Sequence, residues 1–98
     1  MTKQEIAERY CLDDNTIFIE PEDEFNGGII GVSEDRQHVI YDYDKTVESI
    51  AAAYARKNGG EPEDYYDDAR EWFEYNTLRS LPYQDKNFVP IISVAVEE

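Results

Sequence analysis

The chain has 98 residues, 41% of them hydrophobic and 13% aromatic, and its 23 acidic side chains against nine basic ones give a formal net charge of −14. That length predicts one domain over residues 1–98, and the apolar and aromatic content excludes a disordered acidic tail, which is poor in both. The shortage of Lys and Arg disfavours nucleic-acid binding through a basic patch. The lone Cys11 allows no intrachain disulfide and fits a reducing cytoplasm, and no apolar run reaches the roughly 18 residues of a membrane span.

Thr2 followed by Glu5 has capping-box spacing, and Ile6, Ala7 and Tyr10 recur on one side, so a short helix is predicted over residues 3–11. No apolar run follows Met1, so the N-terminus does not read as a signal peptide. Residues 15–19 are β-rich and predict a first strand. Residues 20–28 read as an acidic loop, with Glu20, Glu22, Asp23 and Glu24 ahead of the turn residues Asn26, Gly27 and Gly28. Residues 29–32 and 37–43 predict a hairpin joined by a tight connection at 33–36.

Asp44 is placed to cap the next helix. Val47, Ile50, Ala51, Tyr54 and Ala55 share its core face, and Asn58-Gly59-Gly60 ends it. Pro62 opens a second helix over residues 62–80, whose core stripe is Tyr65, Tyr66, Ala69, Trp72 and Phe73, continued by Asn76 and Ser80. The opposite face carries Glu63, Asp64, Asp67, Asp68, Glu71 and Glu74. Asn76, an amide in an apolar stripe, is expected to tie the helix to a neighbouring loop. Tyr75 and Leu78 fall on the acidic side. The chain after Pro82 is expected to cover them; left open they would form, with Tyr83, an apolar contact surface. Residues 89–96 predict a last strand, with Pro90 suiting an edge position. The order α-β-β-β-α-α-β argues for an α+β domain whose helices pack on one face of an antiparallel or mixed sheet.

Little in the chain resembles a reaction centre. An apolar strand leading into Asp42-Tyr43-Asp44-Lys45-Thr46-Val47 is similar to the nucleophile motif of haloacid-dehalogenase-type phosphatases. The residues that follow lack the parallel sheet and the later Lys and acidic pair of that fold, so Asp42 reads as a strand end. One Cys and one His are too few for a zinc site, and Glu20 to Glu24 lack the spacing of a calcium loop. Cys11 reads as a small buried hydrophobe at a helix end, and His38 as a strand residue. No catalytic residue, metal or cofactor is expected.

The segment Glu74-Tyr75-Asn76-Thr77-Leu78-Arg79-Ser80-Leu81-Pro82-Tyr83, followed by Pro90-Ile91-Ile92, resembles a recurrent ending in small acidic proteins of phages and prophage-like elements. The hairpin at 29–35 and the strand-to-helix junction at 41–45 resemble theirs as well, while the stretch 56–64 is longer. The resemblance implies an intracellular mobile-element protein acting in a bacterial host, and implies no particular chemistry. The expected function is a non-enzymatic accessory or interaction module, a monomer or dimer, with a host or phage protein as partner. The alternative is a nucleic-acid mimic that inhibits a host defence or DNA-binding protein through the Glu63–Glu74 face and the Glu20–Glu24 loop, whose carboxylates stand in for phosphates.

Overall fold

A computed structural model describes residues 3–20 and 22–94. Its elements are α1 (Lys3–Tyr10), a short helical turn α2 (Glu22–Phe25), a 3-10 turn (Asn26–Gly28), β1 (Ile29–Val32), β2 (Val39–Asp42), α3 (Tyr43–Asn58), a second 3-10 turn (Pro62–Tyr65), α4 (Tyr66–Trp72), a π-helical turn (Phe73–Leu78), a third 3-10 turn (Leu81–Tyr83) and β3 (Ile91–Ser93). The sheet has the order β1-β2-β3, with β1 antiparallel and β3 parallel to β2. This is a mixed sheet in an α+β fold, and β3 is an edge strand with Pro90 just before it, as the sequence predicts.

Strand β2 alternates cleanly. Val39 and Tyr41 are fully buried, while Ile40 and Asp42 are half-buried. Helices therefore cover one face of the sheet, and the other stays partly open. The register Ile29↔Tyr41, Gly31↔Ile40, Val32↔Val39 contains a bulge at Ile30, whose side chain is exposed.

Residues 15–19 are not a strand of this sheet. Their backbone donors go elsewhere: Ile17 N–H to the Phe88 carbonyl at 3.2 Å and Ile19 N–H to the Tyr41 hydroxyl at 3.0 Å. The segment has no regular secondary structure beyond a turn at its start and buries Thr16, Phe18 and Ile19, so its β-rich composition serves the core rather than a ladder. The acidic stretch is also more regular than its composition predicts, with helical turns over Glu22–Phe25 and Asn26–Gly28. Phe25 is fully buried, with ring centroids at 6.5 Å from Tyr41, 5.8 Å from Trp72 and 5.8 Å from Phe73. It is the hub of the aromatic core. Gly27 and Gly28 are needed there for space. A Cβ on Gly28 would stand 2.8 Å from the Thr46 Cα, and one on Gly27 would stand 2.7 Å from the Ser49 Oγ, so this turn and α3 touch backbone to helix.

Helix α3 starts directly after β2, which makes Asp42 its N-cap in place of Asp44. The Asp42 Oδ2 accepts the Lys45 N–H at 2.9 Å, and Asp44 sits in the first turn. Thr46 and Ala53 are buried alongside Val47, Ile50 and Ala51, because α2 and the 26–28 turn cover a second side of the helix. The helix ends at Gly59, whose φ of +83° and N–H to the Ala55 carbonyl at 2.8 Å form a left-handed stop. Cys11, just after α1, also has a positive φ, of +53°, and its side chain is exposed rather than buried. Thr2, the expected cap of α1, lies outside the described residues, as do 95 and 96 of the predicted last strand. Among the described residues no helix is long and apolar enough to cross a membrane.

Candidate functional site

The predicted helix over 62–80 is three local geometries in series, and this decides which side chains reach solvent. Pro62 opens a 3-10 turn in which the Asp64 Oδ2 accepts the Glu61 N–H at 3.2 Å. α4 follows, with Ala69 buried, and then the π turn, with Phe73 and Thr77 buried. A π turn holds more residues than an α turn, so each residue rotates the chain less. Three residues beyond Phe73, Asn76 has not yet come round to the core; four beyond, Thr77 has. Asn76 is therefore exposed, and its Nδ2 donates to the Trp72 carbonyl at 3.1 Å in its own helix rather than to a neighbouring loop. Ser80 is also exposed.

The acidic face forms as predicted, with its members in different states. Glu63, Asp64, Asp67, Asp68, Glu71 and Glu74 are all exposed. Asp64 is committed to its turn. Glu74 is committed to Tyr43, whose hydroxyl donates to the Glu74 Oε1 at 2.6 Å. Burial, followed by this carboxylate, pushes the Tyr43 hydroxyl up to about 12. Glu63, Asp67, Asp68 and Glu71 form no hydrogen bond or ion pair with the described residues.

The acidic loop contributes less. Glu24 is buried, with its Oε1 at 3.4 Å from the Lys57 Nζ, so it belongs to the core's edge and not to an exposed acidic surface. Glu20 is exposed. The side chains of Glu22 and Asp23 lie outside the described residues.

Of the three predicted apolar contacts, Tyr75 is 65% and Tyr83 is 92% exposed, whereas Leu78 packs against the core cluster. The chain after Pro82 therefore leaves Tyr75 open. Its ring is met from its own helix instead: the Arg79 guanidinium carbon lies 4.7 Å from the ring centroid. Asp68, Glu71, Trp72, Tyr75 and Asn76 together line an open groove of about 430 Å³. Its walls come from one helical stripe, since 68, 72 and 76 stack at i, i+4, and 71 and 75 run beside them. The structure thus brings Tyr75 together with Asp68 and Glu71, and adds two residues that the wheel assigned to the core, Trp72 and Asn76. Their half-hydrophobic, half-amide pattern within the stripe was the only trace of this in the sequence.

No family model, curated protein or solved structure matches this chain.

His38, Asp35 and Asp42 are held in structural contacts. The His38 Nδ1 donates to the Val89 carbonyl at 2.7 Å, extending the β2–β3 contact ahead of the strands. The Asp35 carboxylate accepts from the Ser33 hydroxyl at 2.5 Å and the Gln37 N–H at 3.0 Å in the hairpin connection; the Ser33 bond, then the backbone bond, holds it below its ordinary value. Asp42 of the phosphatase-like motif is the α3 cap. Among the described residues no three His, Cys, Asp or Glu side chains come together as metal ligands.

Proposed function

We propose that this protein is a non-enzymatic interaction module whose acidic helix face binds a cationic partner protein, in a bacterial cytoplasm and on behalf of a mobile element. One observation carries the electrostatic part of this reading. Glu63, Asp67, Asp68 and Glu71 project from one side of consecutive helical turns, exposed and without a bonded partner among the described residues, beside the open aromatic groove. Uncompensated like charges destabilise a small domain by self-repulsion. Their concentration on one face fits a contact that is steered by charge and lost with salt. The bacterial and mobile-element part rests on the resemblance of residues 74–92 described above.

A protein whose own ligand is nucleic acid is one such partner, and then the acidic face acts as a mimic of the phosphate backbone. The test is capture from a bacterial lysate by the immobilised chain at low and high salt. The comparison variant is Asp67→Asn/Asp68→Asn/Glu71→Gln, which leaves the Asp64 turn and the Glu74–Tyr43 bond intact. Capture that is lost in the variant and at high salt supports the reading, and release of the partner by duplex DNA identifies the mimic. Capture that is equal for both proteins and indifferent to salt would sink it, and would point to an apolar contact centred on Tyr75 and Tyr83.

A further inference from the structure

The π turn Phe73–Leu78 divides one core-facing row into two pieces. Up to the turn the row is α-helical: Tyr66, Ala69 and Phe73 recur at three and four positions, with Ala69 and Phe73 buried and Tyr66 packed against the core cluster. Beyond it, the buried Thr77 and the half-buried Leu78 and Leu81 lie four, five and eight positions after Phe73. As a set they sit one position too far along to continue that face. With Asn76 left out of the count the same three lie three, four and seven positions after Phe73, and the row runs from Tyr66 to Leu81 without a break. The segment therefore reads as an α-helix that carries one residue in excess.

An α turn joins each N–H to the carbonyl four residues back and a π turn to the carbonyl five back, so one π turn takes up one extra residue. Run as α throughout, this stretch would bring Asn76 and Ser80 inward and turn Leu78 and Leu81 outward, burying an amide and a hydroxyl in place of two apolar side chains. The π turn avoids that exchange by lodging the excess on the solvent side. Glu74, Tyr75 and Asn76 are all exposed between the buried Phe73 and Thr77, whereas the arc before them, Arg70, Glu71 and Trp72, keeps Trp72 half-buried. Asn76 is the member of its arc least engaged with other residues. Glu74 accepts from Tyr43 and Tyr75 meets Arg79, while the Asn76 Nδ2 turns back on the Trp72 carbonyl, the acceptor that its own N–H would have in an α-helix. The offset cannot be absorbed further on. The Ser80 N–H and hydroxyl both close on the Thr77 carbonyl, at 3.0 and 2.8 Å, and the Tyr83 N–H closes on the Ser80 carbonyl at 3.1 Å.

We propose that the π turn is a register device built into the fold: Asn76 is one residue more than the helix over 66–81 needs, and the turn stores it outward so that the core row stays in phase on both sides. The device adds one outward position between Phe73 and Thr77, on the face that carries Asp68, Glu71 and Tyr75. Because a π turn is the exception among helical turns, returning it to α geometry leaves the fold intact.

The test is deletion of Asn76 from the full chain, with deletion of Glu48 for comparison. Each removes one exposed residue from a helix. α3 has no π turn to take up the change, so deletion of Glu48 rotates Ile50, Ala51 and Ala53 by about 100° relative to Val47. The Asn76 deletion is expected to melt cooperatively, with a midpoint within about 5 °C of the parent chain or above it. The Glu48 deletion should fall below that limit or lose its cooperative melt. A thiol reagent then tells a repaired helix from a rotated one. In a Cys11→Ser background, the Thr77→Cys thiol should be protected with and without Asn76, and the Ser80→Cys thiol should label in both. An Asn76 deletion that melts below the limit overturns the register device, and so does equal tolerance of the two deletions. A cooperative melt in which removal of Asn76 opens the Thr77→Cys thiol to the reagent overturns it as well, since the helix has then turned instead of closing up.

Discussion

Gly28 is the position where a single added methyl group meets the most resistance. Its missing side chain lets the 26–28 turn lie against α3, and a Cβ there would stand 2.8 Å from the Thr46 backbone, which cannot rotate away as a side-chain tip can. Gly28→Ala is expected to lower stability by about 2–3 kcal/mol through overpacking. Gly31→Ala, where a Cβ meets nothing within 4 Å, should stay within about 0.5 kcal/mol. Urea unfolding of the two variants checks both values. Tyr43 makes a different kind of prediction, because its hydroxyl is raised from 10.0 to about 12 in the folded chain. The unfolded chain then releases this proton first. Its contribution to stability is whole below about pH 10 and is lost as the pH rises toward about 12. Tyr43→Phe should flatten that part of the alkaline decline. It also costs about 1 kcal/mol at neutral pH for the lost bond to Glu74. Urea midpoints at about pH 8 and about pH 11 separate the two effects. A raised Tyr54, pushed up mainly by burial, leaves some decline in the variant.

The elements differ in how far the sequence discloses them, and the reasons are specific. The hairpin and α3 are legible because β2 alternates, the 33–36 connection is tight and the helical period of α3 is unbroken, and Asn58-Gly59-Gly60 marks the stop. Residues 15–19 have strand composition, but a ladder needs a free neighbour, and their donors are taken by Tyr41 and Phe88. Phe25 is hidden by its surroundings: a lone aromatic among carboxylates gives no periodic signal, although it touches three other rings of the core. Within 62–80 the acidic face is legible from the wheel. A hollow of about 420 Å³ beside Trp72 is not, because Glu20 and Gln84, which help to line it, arrive from separate segments of the chain. The π turn is the instructive failure. A wheel assumes constant rotation, and here the rotation changes after Trp72, moving the core position from Asn76 to Thr77. This predicts a reversal of the ordinary polarity argument. Thr77→Asp places an unpaired carboxylate where the side chain is 7% exposed, and should cost about 3 kcal/mol or more. Asn76→Asp, the residue that the wheel buries, should cost about 0.5 kcal/mol or less. Equal losses in thermal melts of the two variants would mean that the helix is α-helical throughout.

At the scale of the whole molecule, the net charge of −14 works against stability. The chain extends only 39 × 31 × 25 Å. At about 10 mM salt the screening length is about 30 Å, so nearly every carboxylate feels every other; at about 1 M it is about 3 Å, and only neighbours do. Stability is therefore expected to rise with added NaCl, contrary to what a fold held by surface ion pairs would do. The Lys57–Glu24 contact is no such pair, since its carboxylate is buried at the core's edge. A test by substitution must separate repulsion from the helix dipole. Asp67 and Asp68 sit in the first turn of α4, where the dipole favours them by about 0.3–1 kcal/mol each, so neutralising them mixes two opposing effects. Glu48, in the middle of α3, and Glu71, four residues beyond the start of α4's acidic turn, lie clear of that advantage and are both exposed. Glu48→Gln/Glu71→Gln should therefore raise stability at about 10 mM salt by about 1 kcal/mol, and the gain should vanish at about 1 M. Glu48→Gln alone should share the stabilisation and keep the partner, while Glu71→Gln should share it and bind more weakly. A gain that persists at high salt would assign it to helix propensity instead. The salt-sensitive outcome makes the acidity a standing cost to the fold, set by self-repulsion among its carboxylates.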